Sequence, residues 1–441
     1  MGEKGENSGG WLGKLSRFSS HELVRGSGQT LFIRVAGIAF TYAFSLMVTN
    51  LLGPAAFGDY SFLVLLINVL SVFSALGFDG LVVRHVAAKQ ALDDWQGLIR
   101  FHRLALRLQI AASLLLGGVL LLAQYMGWLT AYGNAFVFSM IAVGILPQTL
   151  LKYHSQAFKA FRQIRWYAIL NYVASPFFAL ILLLALFYAD PERAAGWAQV
   201  GSLWLAIGLA LVIWKKTVHS DRPYVHQAAA WTEYKDMVRH SWPFLLTGSV
   251  MFFNHWIDQL VLKSARGSYD LGIYAAGNRV VNLVTIPLMA VNSIVAPKLA
   301  RCWAQQDQEG LQKAARQATR LIIWSSAPIF LVVLALAGPL LHLFGRDFPE
   351  GALAMRILII GQFCNVLVGP TGAVLNMTRY DRLMNKLAMI SVVVNFVVSA
   401  WLAPSWGAAG AATGSSAGLV VLNGLAWYFI RRKLGFSTIR L

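Results

Sequence analysis

Two arginines, Arg34 and Arg279, stand inside long runs that carry no other charge. A guanidinium stays protonated, and its planar fork matches a phosphate with paired hydrogen bonds. An anionic group leaving water needs a fixed positive charge of this kind. The residue type and its place therefore point to holding an anionic headgroup. Arg34 lies about five residues into its run, roughly 8 Å from the near end; Arg279 lies about eight residues in, roughly 12 Å from the opposite end. Two plainer readings stay open. Arg34 can snorkel to the nearer interface, and Arg279 can pair with Asp258, which sits at a similar depth on the preceding run. His255 precedes Asp258 by one helical turn and titrates in a useful range. This couple is the candidate for coupling to a proton or cation gradient. Asn254 and Asn282 join the arginines as candidate substrate contacts. Asn68, Asn171, Asn395 and others add hydrogen-bonding capacity, which serves sugars or binds helices together. Asp79, near Arg84, reads as a structural lock.

Other chemistry is missing from the residues. No Gly-x-x-x-x-Gly-Lys-Ser/Thr loop and no His-Glu-x-x-His pair occurs. Cys302 and Cys364 lack metal-site spacing and are too few for a disulfide framework. The expectations are no metal, no cofactor and no enzyme activity, with transport as the default.

The elements that carry these residues are membrane spans. Hydrophobic residues make up 57% of the 441 and charged ones only 13%, which excludes an ordinary soluble enzyme. About twelve runs can cross a bilayer of roughly 30 Å. They fall near 29–51, 58–82, 104–124, 135–156, 167–189, 195–214, 243–263, 271–296, 320–343, 352–375, 386–403 and 407–430. Strict alternation of the β-barrel kind is missing. With the N-terminus inside, 30 of the 37 Lys and Arg fall in loops on that side, and 5 on the other. That bias places both termini in the cytoplasm. It also explains the net charge of +18 without nucleic acid. The first 28 residues hold no signal-type apolar core, so no cleavage is expected. Segments 89–103 and 302–318 read as amphipathic surface helices.

The organisation expected is all-α, with two six-helix lobes around a central cavity. Residues 1–28 form a cytoplasmic segment, 29–240 the first lobe with its central loop, 241–430 the second lobe, and 431–441 a cytoplasmic tail. The halves echo each other. Gly58-Asp59-Tyr60 opens the second span, and Gly272-Ile273-Tyr274 the eighth. The basic turn 160–165 follows the fourth span as 376–382 follows the tenth. Together with the even split, these matches favour duplication.

Several stretches resemble the polysaccharide (O-antigen-type) flippases of the multidrug/oligosaccharidyl-lipid/polysaccharide exporter superfamily. They are Leu51-Leu52-Gly53-Pro54-Ala55-Ala56-Phe57-Gly58-Asp59-Tyr60, Gly77-Phe78-Asp79 with Val83-Arg84, and Leu343-Phe344-Gly345-Arg346-Asp347-Phe348. Asp258 and Gly272-Ile273-Tyr274-Ala275-Ala276 also fit. The resemblance implies a transporter moving an undecaprenyl-pyrophosphate-linked oligosaccharide to the outer leaflet of a bacterial inner membrane. It implies a cationic cavity, membrane lipids around it, and a polymerase among its partners in surface polysaccharide assembly. A cation-coupled multidrug extruder and a lipid II-type flippase are the alternatives.

Overall fold

A computed structural model of the chain describes residues 9–92, 94–130, 132–217 and 231–439. The helices are α1 (Gly9–Ser74), α2 (Phe78–Ala91), α3 (Trp95–Tyr125), α4 (Ala135–Ala160) and α5 (Ile164–Ala168). There follow α6 (Ala174–Leu186), α7 (Pro191–Thr217), α8 (Trp231–Arg266), α9 (Ser268–Asn282) and α10 (Ile286–Ala304). The last five are α11 (Gln308–Ala335), α12 (Ala337–His342), α13 (Ala352–Leu367), α14 (Thr371–Met377) and α15 (Asp381–Leu434). Among the described residues there is no strand.

Among the described residues, nine helical stretches are long and apolar enough to cross a membrane. The first and last of them each fold back on themselves. Phe44 and Tyr60 of α1 lie with ring centroids 5.1 Å apart. In an unbroken helix they would be about 24 Å apart. The reversal is at Gly53, with φ 77° and ψ −176°, a left-handed backbone that glycine adopts without strain. In α15, Ser391 donates to the Gly418 carbonyl at 2.8 Å, and the break is at Gly407, φ 54°. Those two helices therefore make two crossings each. The more polar α8 adds one more, and the total is twelve.

The duplication is visible in the backbone. Gly53 and Gly267 both turn at positive φ, 77° and 84°. Arg162 and Arg379, in the two basic turns, share φ values of 60° and 63°. Asp94 caps α3 by accepting from the Gly97 N–H, and Asp307 caps α11 by accepting from Gly310, each at 2.8 Å. Lys89, 2.5 Å from Asp94, holds that carboxyl below the usual carboxylate range, with the Gly97 N–H adding to the effect.

These caps correct one expectation. Segments 89–103 and 302–318 are not separate surface helices; each is a tight turn that leads straight into a spanning helix. The helix that carries position 240 also touches the first lobe. Position 240 falls inside α8, and Arg100 of α3 pairs with Glu233 of α8 at 2.5 Å. Residues 218–230, most of the central loop, and 1–8 lie outside the described residues. The tail docks on the second lobe: Thr438 donates to the Val368 carbonyl at 2.8 Å, and Arg316 to the Ser437 carbonyl at 3.1 Å.

Apolar packing shows how the lobes meet. One core fills the first lobe around Phe78, Tyr153 and Phe158. A second fills the basic end of the other lobe around Leu299, Leu375 and Ile430. A third joins the two lobes through Phe44, Phe57, Tyr274, Phe344 and Phe348. At its edge α1 and α9 cross on glycines. A Cβ on Gly58 would sit 2.6 Å from the Ser268 carbonyl carbon, and one on Gly272 2.8 Å from that of Pro54. Backbone cannot rotate away as a side chain can. Gly58→Ala is therefore expected to cost about 1–3 kcal/mol. Thermal unfolding in detergent checks this; an unchanged midpoint would mean the lobes do not cross here.

Candidate headgroup cavity

A cavity of about 1150 Å³ opens between the lobes. One wall is the first arm of α1, from Thr30 to Tyr42, with Asn171, Tyr172 and Pro176. The other wall is α9 and α10, from Arg279 to Ser293, with His255 of α8. Arg162 and Ile164, at the basic turn after α4, stand at the mouth. Thr30 to Tyr42 is about 18 Å along the helix. Beyond Tyr42 the space is filled by the shared core.

Both walls are irregular helix, and proline is the cause. Pro176 has no N–H for the Tyr172 carbonyl. The backbone there runs as a π-helical turn, Ile169–Val173, a device common at functional sites. It puts two successive side chains, Asn171 and Tyr172, on the cavity wall. Gly37 of α1 covers that stretch so closely that a Cβ would lie 2.7 Å from the Tyr172 carbonyl carbon. In the other wall, Pro287 follows a 3-10 turn, Leu283–Thr285.

Arg34 and Arg279 face this one cavity from opposite lobes. Arg34 does not run out to the interface. Its guanidinium lies 4.9 Å from the Tyr172 ring centroid, and Nη2 donates to the Met289 sulfur at 3.0 Å. Arg279 does not pair with Asp258. Its guanidinium rests on Phe57 at 4.7 Å and Tyr60 at 5.6 Å, and Nη1 is buried without a hydrogen-bond partner among the described residues. Asp258, 2% exposed, accepts from the Tyr274 hydroxyl instead. His255 lines the cavity, whereas Asp258, one turn on in α8, is buried and does not.

The asparagines sort into two uses. Asn171 and Asn282 line the cavity. Asn254 does not; its Oδ1 accepts from Ser391 at 2.8 Å and ties α8 to α15. Asn68 accepts from Gln148 at 3.0 Å, and Asn395 from Ser399 at 3.0 Å. Asp79 caps its own turn, accepting from the Gly80 N–H at 2.9 Å, and makes no ion pair with Arg84 among the described residues. Three arginines and no acid line the cavity among the described residues.

Sequence reading passed over the pair that shuts the far end. Lys263 of α8 reaches across the lobes to Asp59 of α1 at 2.7 Å, and Ser268 donates to the same carboxylate at 2.5 Å. Lys263 is 6% exposed and lies 5.1 Å from the Phe62 ring centroid. The available signal was a lysine on the side that carries only 5 of the 37 basic residues. Asn50, donating to the Leu343 carbonyl at 2.9 Å, is a second tie at that end.

A two-lobed helical bundle with a cavity between its lobes is an architecture that known proteins share. An inward-facing conformation of a multidrug resistance MATE family transporter of the MOP superfamily aligns with a TM-score of 0.70 at 14% identity. The match covers 92% of this chain and 98% of that one. The chain therefore shares the fold of that protein.

The family model described as polysaccharide biosynthesis protein matches residues 23–303, and the MatE model matches 243–401. The chain belongs to the polysaccharide biosynthesis protein family. A probable low-salt glycan biosynthesis flippase of Haloferax volcanii is 22% identical over 38% of this chain and 36% of its own length. An uncharacterized membrane protein of Methanocaldococcus jannaschii is 25% identical over 40% and 41%. The matched part thus spans about two fifths of these curated relatives.

Proposed function

We propose that the protein is a flippase for an oligosaccharide carried on undecaprenyl pyrophosphate. It takes the unit from the cytoplasmic leaflet of the inner membrane and releases it in the outer leaflet by alternating access, for surface polysaccharide assembly with a polymerase downstream. One observation carries this reading: a large interlobe cavity lined by Arg34, Arg162 and Arg279 and by no acid among the described residues. Such a wall attracts a pyrophosphate and repels a cation. Asn171, Asn282, Thr41 and Ser293 add hydrogen-bonding groups for sugar.

The basic loops and the cavity mouth share one end, which supports a cytoplasmic opening with both termini on that side. The closed end, held by Asp59–Lys263 and the glycine crossing, then faces outward. Coupling to a proton or cation gradient would use His255, at the wall, or Asp258 behind it. A transport rate indifferent to pH and to sodium would remove both.

The MatE match in the second half favours a second reading, a multidrug extruder. The sign of the cavity opposes cationic drugs. A deletion strain separates the two readings. Under the flippase reading, mass spectrometry finds a complete oligosaccharide on the pyrophosphoryl carrier, and the restored wild-type gene clears it. Absence of that intermediate, with altered sensitivity to cationic drugs, supports the extruder instead.

A further inference from the structure

The carbonyl of Arg279 lies where α9 tightens. The turn that follows, Leu283–Thr285, is 3-10, and the Leu283 N–H reaches the Val280 and Val281 carbonyls. Tyr42 donates its hydroxyl to the Arg279 oxygen from the other lobe. The side chain of the same arginine is held by that lobe as well, on the rings of Phe57 and Tyr60. One lobe thus grips an arginine of the other at both backbone and head. The grip leaves Nη1 buried and unspent.

We propose that Tyr42 is a positioning residue: it fixes Arg279 so that its guanidinium meets the pyrophosphate, and it does so only while the far end is closed. This rests on the headgroup reading of the cavity. Tyr42 and Arg279 belong to different lobes, so parting the lobes at the Gly58–Gly272 crossing pulls the hydroxyl from the carbonyl. The arginine is then released from the first lobe and can swing out of the headgroup position. The anion is held tightly in one state and loosely in the other. Release on the outer side follows from the same hydrogen bond that aids capture on the inner side.

The test uses the purified full chain in detergent, with inorganic pyrophosphate as the probe and calorimetry as the readout. Tyr42→Phe keeps the ring and deletes the donor. It is expected to weaken pyrophosphate binding about tenfold, the effect of roughly one charge-assisted contact. Unchanged affinity in Tyr42→Phe, while Arg279→Ala loses binding, overturns the positioning role and leaves the headgroup reading standing. Equal binding by wild type and Arg279→Ala overturns both. The closed state is tested independently by Asp59→Cys/Ser268→Cys, made with Cys302→Ser and Cys364→Ser, at a pair of side chains that touch across the lobes. Once oxidised, this variant should bind pyrophosphate at least as tightly as when reduced. Weaker binding in the locked form overturns the proposal even if Tyr42→Phe does not fold.

Discussion

Arg279→Ala is expected to lower substrate affinity by between about thirtyfold and a thousandfold or more. Truncating one partner of a buried charged contact costs about 2–5 kcal/mol, and 1.4 kcal/mol is tenfold. The upper range applies because Arg279 is held in place on two rings at the cavity wall. Nothing has to be ordered when the anion arrives. Arg34 is half-exposed and already shares its head with Tyr172 and a methionine sulfur, so Arg34→Ala is expected to cost less. Arg279→Lys retains charge but not the fork, and falls between. In the deletion strain, Arg279→Ala should leave the lipid-linked intermediate accumulated while Arg34→Ala clears it in part. Full clearance by Arg279→Ala would make the arginine structural.

The second large effect concerns the closed end, and it is asymmetric. Lys263 is almost wholly buried, whereas the Asp59 side chain is 35% exposed. Asp59→Asn strands a buried ammonium beside Ser268 and the Phe62 ring, at a cost of roughly 3 kcal/mol. Lys263→Met removes the charge itself and leaves a carboxylate that water reaches, at a cost of about 1 kcal/mol or less. The thermal midpoint should therefore fall clearly further for Asp59→Asn. The reverse order would mean that the pair does not hold the lobes together. Loosening this end should also let a membrane-impermeant thiol reagent reach a cysteine placed at Ser293 from the outer side.

Much of the fold could be read from the sequence because its signals are local. Twelve apolar runs and the one-sided distribution of Lys and Arg need no tertiary knowledge. The duplication could be read from Gly58-Asp59-Tyr60 and Gly272-Ile273-Tyr274. That these two motifs press against each other, glycine on glycine, could not be read, because it depends on how the lobes face. The same limit governed the site. Arg34 and Arg279 stood out because charge inside a span is rare. Their partners did not stand out: Tyr172, Phe57 and Tyr42 are ordinary membrane residues until the fold brings them against an arginine. Asp258 drew attention as a charge at a matching depth, yet Tyr274 took its carboxylate. Depth along a helix says nothing of direction around it. Asn254 failed for that reason too, since it turns toward Ser391 and not toward the cavity.

The most direct test of the cationic cavity is flipping by the purified chain in vesicles. A fluorescent pyrophosphate-linked oligosaccharide lipid is placed in one leaflet, and its arrival in the other is read by impermeant quenching. Wild type should move it, Arg34→Ala/Arg279→Ala should not, and an analogue with a neutral linkage in place of the pyrophosphate should stay put. Equal movement of the neutral analogue, or transport that survives loss of both arginines, would contradict the reading of the cavity as a pyrophosphate site.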